Sequence, residues 1–105
     1  MVNKKKAGCP VEATLKVIGK KYAALIIRDL LTGKKRFGEL QSSLDGISPR
    51  TLSIRLHELE KDCIIQRKAY PVIPLKVEYS LTKSGKELHR IIGKMAEWGD
   101  KYKDC

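Results

Sequence analysis

The stretch Ser48-Pro49-Arg50-Thr51-Leu52-Ser53-Ile54-Arg55-Leu56-His57-Glu58-Leu59-Glu60-Lys61-Asp62, followed by Ile65–Tyr70 and Lys76–Leu81, decides the fold. Ser48 is a good N-cap, and Pro49 stands at the first helical position, where its missing N–H costs nothing. The helix so begun runs to about Asp62 and turns Leu52, Leu56 and Leu59 inward. The two later segments read as strands. In the second, Val77, Tyr79 and Leu81 alternate with Glu78 and Ser80. Pro71-Val72-Ile73-Pro74 joins them; it is too long for a two-residue hairpin turn and is expected to protrude.

Working back towards the N terminus, Asp45-Gly46 is a turn, and Phe37–Leu44 is a short helix with Phe37, Leu40 and Leu44 on one side. Lys34-Lys35-Arg36 is a basic connection or short strand. Lys21–Leu31 is a helix whose stripe is Ala23, Ile26, Ile27, Leu30 and Leu31, closed by Thr32-Gly33. Cys9-Pro10 opens the first helix, which carries Val11, Leu15 and Ile18 and stops at Gly19. Towards the C terminus, Thr82 caps a last helix from Lys83 onwards. Its apolar side is Leu88, Ile91, Ile92, Met95 and Trp98.

The order is four helices, two strands and one helix, a mainly α (α+β) chain. Two helices, Phe37–Leu44 and Ser48–Asp62, are joined by a short turn and followed by a hairpin with basic flanks. That is the organisation of a winged helix-turn-helix with a two-stranded β-wing. The 105 residues fit one domain. Residues 1–8 form a flexible basic N terminus, 9–31 the N-terminal helices, 36–62 the helix-turn-helix, 64–81 the wing and 82–105 a dimerisation helix. The last helix is too long for one small domain to cover, so its apolar side calls for a second copy. The expected interface is Val11, Leu15, Leu88, Ile91, Ile92, Met95 and Trp98.

Lys and Arg total 22 against 12 Asp and Glu, a net charge of +10, which favours a polyanionic partner. Apolar residues make up 42% of the chain, enough for it to fold. Lys16, Lys20, Lys21 and Arg28 interrupt every candidate signal or membrane segment, so the expected location is the cytoplasm, with no membrane partner. Three cysteines at wide spacings give no disulfide framework, and no Cys/His cluster suggests a metal or cofactor. His57 and His89 lack a carboxylate or hydroxyl partner at a useful spacing, so no catalytic site is expected. No small-molecule effector can be read from the residues.

These features point to double-stranded DNA as the partner. A recognition helix enters the major groove and reads bases mainly with its N-terminal residues. Opposite the three leucines, and flanking that face, lie Ser48, Arg50, Thr51, Ser53, Ile54 and Arg55, the expected base-reading set. Arginine can read guanine with two hydrogen bonds, and Ile54 suits a thymine methyl. Lys34, Lys35, Arg36, Arg67, Lys68 and Lys76 are the expected phosphate contacts, which position without specifying. The alternative is a winged-helix protein-interaction or RNA-binding module without operator specificity. An interaction module would show no salt-dependent DNA affinity. An RNA reader would stack bases on an exposed aromatic pair on a sheet, and no such pair is evident.

Cys9-Pro-Val-Glu-Ala-Thr-Leu, Arg36-Phe-Gly-Glu-Leu-Gln, Gly46-Ile-Ser, Leu56-His-Glu-Leu-Glu, Tyr70-Pro and Val77-Glu-Tyr-Ser-Leu-Thr, in that order, resemble the HxlR-type winged-helix regulators, which are related to the MarR type. The resemblance spans almost the whole chain. It implies a transcription regulator, a homodimer built by the terminal helices on a pseudo-palindromic operator, and a redox- or electrophile-sensing thiol at Cys9. Physical chemistry supports that thiol: a helix N terminus and the nearby Lys4, Lys5 and Lys6 favour the thiolate. Three positions depart from the family pattern. Tyr22 stands where Trp is usual, Pro74-Leu75 where Pro-Pro is usual, and Cys63 where Gly is usual. Glycine at that last place would suit a left-handed helix end; a cysteine there is either mildly strained or accompanied by a different turn. Cys63 is otherwise expected to be structural, and Cys105 mobile.

Overall fold

The structure, a computed structural model, describes residues 9–104. The expectations for residues 1–8 and for Cys105 fall outside that range. Seven elements follow in the expected order: α1 (Pro10–Ile18), α2 (Ala23–Leu30), α3 (Phe37–Ser43), α4 (Pro49–Lys61), β1 (Ile65–Tyr70), β2 (Lys76–Leu81) and α5 (Lys83–Tyr102).

The local reasons are those read from the sequence. Ser48 Oγ accepts the Thr51 N–H at 3.1 Å, and Thr82 Oγ1 accepts the Gly85 N–H at 3.1 Å, so both caps do what their residue types promise. At the end of α4 the Cys63 N–H donates to the Glu60 carbonyl at 3.0 Å. The Ile64 N–H donates to the Leu59 carbonyl at 2.9 Å. That bond pair is a Schellman motif, and Cys63 occupies its left-handed position with φ of 63°.

β1 and β2 pair antiparallel with Ile65 opposite Leu81 and Tyr70 opposite Lys76. Lys35 adds a third rung: its N–H donates to the Tyr79 carbonyl at 2.9 Å, and its carbonyl accepts the Tyr79 N–H at 2.8 Å. The basic connection is therefore held against the far edge of the wing. The joining loop protrudes as expected, with Ile73 fully exposed at its tip.

The core lies where α2, α3, α4, the base of the wing and α5 meet. Ile26, Ile27, Leu30, Leu40, Leu52, Leu56, Leu59 and Ile65 are buried there. Each fully buried aliphatic side chain stabilises by about 1.5–3 kcal/mol before chain entropy is counted. Gly85, in the first turn of α5, lies so close to the Ile64 carbonyl that a Cβ would collide with backbone.

Three expectations need correction. α2 begins at Ala23, not Lys21, because Tyr22 adopts φ of 75° and cannot be helical. Leu31, the C-cap of α2, is exposed rather than inward, since the helix has already ended. Ile92 belongs to the core of its own protomer at 9% exposure, with Leu88 packed beside it. Ile92 therefore turns inward, Leu88 is half-buried between the core and the surface, and Ile91, Met95 and Trp98 of the same helix face outward.

Candidate nucleic-acid interface

The N-terminal half of α4 is presented outward because Leu52, Leu56 and Leu59 pin the opposite side to the core. Arg50, Ser53 and Ile54 are exposed, and no side-chain hydrogen bond engages Arg50 or Ser53 among the described residues. Ser48 and Thr51 are different. The Ser48 hydroxyl donates to Thr51 Oγ1 at 3.0 Å while capping the helix, so both hydroxyls shape the helix start.

Arg55 is the clearest departure within the expected base-reading set. Its Nε donates to the Lys21 carbonyl at 2.9 Å, and Nη1 reaches Glu58 Oε1 at 3.1 Å. Its side chain is only 22% exposed. Arg55 holds the recognition helix to the α1–α2 turn rather than facing outward. Glu58 completes the joint with a Lys20 ion pair at 2.8 Å. The Lys20 hydrogen bond, and then the charges of Lys20 and Arg55, hold the Glu58 carboxyl below its ordinary 4.5 against an opposing desolvation. Sequence reasoning missed Glu58. Arg55 is three residues before it on α4, but Lys20 reaches it from the α1–α2 turn, and only the run of lysines after α1 hinted at that contact.

The wing gathers the basic residues. Lys34, Arg67 and Lys68 line one shallow depression with Tyr70, Glu78, Gln66 and Ser80. The Tyr70 hydroxyl donates to Glu78 Oε1 at 2.8 Å, and Lys34 Nζ and Lys76 Nζ lie 3.6 and 3.7 Å from the same carboxylate. Lys68 Nζ and Lys76 Nζ each sit 5.0 Å from the Tyr70 ring centre, within cation–π range. The Tyr70 hydrogen bond, more than the lysines, lowers the Glu78 carboxyl below its usual value and raises the Tyr70 hydroxyl above its own. Glu78 was not foreseen, although the strand alternation that places it beside Lys68 was readable. Arg36 and Arg67 are exposed and Lys35 is half-buried. Arg36 also starts α3, its backbone N–H donating to Glu39 Oε1 at 2.8 Å.

Away from these elements in the chain, α1 and α5 leave Val11, Leu15, Ile91, Met95 and Trp98 exposed, Trp98 at 68%. Cys9 caps α1 and is exposed, and its carbonyl accepts the Ala13 N–H at 3.1 Å. Among the described residues no acidic, His or Cys cluster could hold a metal, and no helix is long and apolar enough to cross a membrane.

An outward recognition helix, a capped supporting helix and a basic wing define a winged helix-turn-helix DNA-binding protein. The chain belongs to the HxlR-like helix-turn-helix family, whose model matches residues 17–105. It is 47% identical over 97 residues to the HTH-type transcriptional regulator YdeP of Bacillus subtilis (strain 168), covering 92% of this chain and 76% of that one. The redox regulator HypR in its reduced form superposes with a TM-score of 0.88 at 44% identity, covering 91% and 95% of the two chains. The reduced form of the regulator YodB from B. subtilis gives 0.80 at 37% identity, covering 91% and 95%. The family consists of transcriptional regulators, which are not enzymes, and this chain is one of them.

Proposed function

We propose that the protein acts as a homodimer on a pseudo-palindromic operator, with Cys9 as its redox- or electrophile-responsive thiol. The observation that carries the reading is the division of the surface. Arg50, Ser53 and Ile54 face outward beside the basic wing, while Val11, Leu15, Ile91, Met95 and Trp98 form an uncovered apolar stripe on α1 and α5. Two copies joined along that stripe would present two recognition helices. Dimeric helix-turn-helix proteins read half-sites about one helical turn apart. Arg50, Ser53 and Ile54 would read bases. Arg36, Arg67 and Lys68 would meet phosphates, with Lys34, Lys35 and Lys76 beside them. Cys9 is exposed at the start of α1, at the margin of the stripe, and HypR is titled a redox regulator. A change in the Cys9 thiol would alter the packing of the two copies. For a regulator whose partner is DNA, the proposed location is the cytoplasm.

The test is binding to the DNA upstream of the protein's own gene, reduced and after mild thiol oxidation, beside Cys9→Ser. Tight, salt-sensitive duplex binding that changes on oxidation in the parent alone supports both parts. Equal binding before and after oxidation removes the Cys9 switch, and no preference over random duplex removes this operator.

A further inference from the structure

Glu78 is a lone carboxylate in the most basic part of the wing. Lys34 reaches it from the α2–α3 connection and Lys76 from its own strand, at 3.6 and 3.7 Å. Tyr70 donates to it at 2.8 Å from the neighbouring strand. Its side chain is 15% exposed while Lys34 keeps 63%, so the carboxylate is enclosed and the ammonium groups are outside. A phosphate approaching this face meets the lysines first, and Glu78 directly behind them.

We propose that Glu78 is a specificity-determining residue of the DNA interface: it holds Lys34 and Lys76 as internal counter-ions and so withholds them from non-specific phosphate contact. The reasoning is one of charge. Affinity for random duplex comes from lysines and arginines that neutralise phosphates and release counter-ions. A lysine already paired to a carboxylate releases fewer, and the carboxylate itself repels the backbone. Base contacts from α4 are untouched by this repulsion. Glu78 therefore lowers random binding more than operator binding and widens the ratio between them. Tyr70 keeps the carboxylate in place and ionised through its hydroxyl hydrogen bond. The exposed pairs themselves are weak, so they yield when the recognition helix has found its bases.

The proposal rests on the wing lying against DNA, so the experiment separates the two ideas. Full-length protein carrying Glu78→Gln, Lys34→Ala, both, or Arg67→Ala is titrated with random duplex and with the operator over a range of salt. Glutamine keeps an oxygen to accept the Tyr70 hydroxyl, and a melting curve checks the fold. Glu78→Gln is expected to tighten random-duplex binding about three- to tenfold near 0.1 M salt, with a slope steeper by about one phosphate. The operator gains less. Lys34→Ala is expected to weaken random binding more in the Glu78→Gln background than alone. Unchanged or weaker random binding by Glu78→Gln overturns the proposal. If Arg67→Ala then still weakens binding, only the role of Glu78 falls. If Arg67→Ala also changes nothing, the wing does not touch DNA and the phosphate assignment falls with it.

Discussion

The helix-turn-helix with its wing and the pair of terminal helices solve opposite problems. In the first region the groups that fix the geometry are satisfied inside one protomer. Ser48 caps α4, Lys35 pairs with Tyr79, and Arg55 and Glu58 lock the recognition helix to the α1–α2 turn. In the second region α5 runs twenty residues, yet only Gly85 and Ile92 are buried. Val11, Leu15, Met95 and Trp98 face outward. A reading surface has to be rigid before its partner arrives, whereas an assembly surface is completed by the partner. The contrast argues that the protomer is a finished reader and an unfinished assembly.

The largest test breaks the second half alone. Met95→Glu with Trp98→Glu is expected to leave the single-chain fold intact, since both residues are exposed, and to convert a dimer to monomer in sedimentation. Operator affinity should fall by at least about a hundredfold, because two linked half-sites gain on the order of 10²–10⁴ over one. A dimer that survives the two charges would move the interface elsewhere.

Next comes the seam between the halves. Gly85→Ala places a methyl group against the Ile64 carbonyl. Overpacking of that kind costs about 1–3 kcal/mol. The expected fall in melting temperature is about 4–8 °C per kcal/mol for a domain this small. An unchanged melting curve would show that α5 is not pressed to the reading half at this point.

The smallest effect lies inside the reader. Cys63→Gly relieves a cysteine held at φ of 63° and is expected to stabilise by a few tenths to about 1 kcal/mol in denaturant titrations. Destabilisation would mean that the Cys63 side chain contributes more than its backbone costs.

Local chemistry explains what the sequence made legible. Ser48-Pro49 marked the start of α4, the alternation of Val77, Tyr79 and Leu81 marked β2, and both strands run between the residues expected. At Cys63 the family resemblance left two alternatives, a strained left-handed cysteine or a different turn, and the structure has the first. The misreadings came from long-range contacts that no window of sequence contains. Helical angle placed Arg55 on the flank of the reading face, but its partner is a backbone carbonyl thirty-four positions away. Ile92 shares a stripe with Ile91, and only the position of α2 and the wing decides which one turns inward. Gly85 gave no periodic signal at all, because its function is to be absent where a neighbour's backbone passes.

The joint of Lys20, Lys21, Arg55 and Glu58 also has a mechanical meaning. α1 is nine residues, a rod about 13 Å long. One end begins at Cys9, and just beyond the other the chain is tied to the recognition helix through the Lys21 carbonyl and the Lys20 ammonium. What the tie fixes is the α1–α2 turn: where that turn moves with the bonds intact, the recognition helix is held to it.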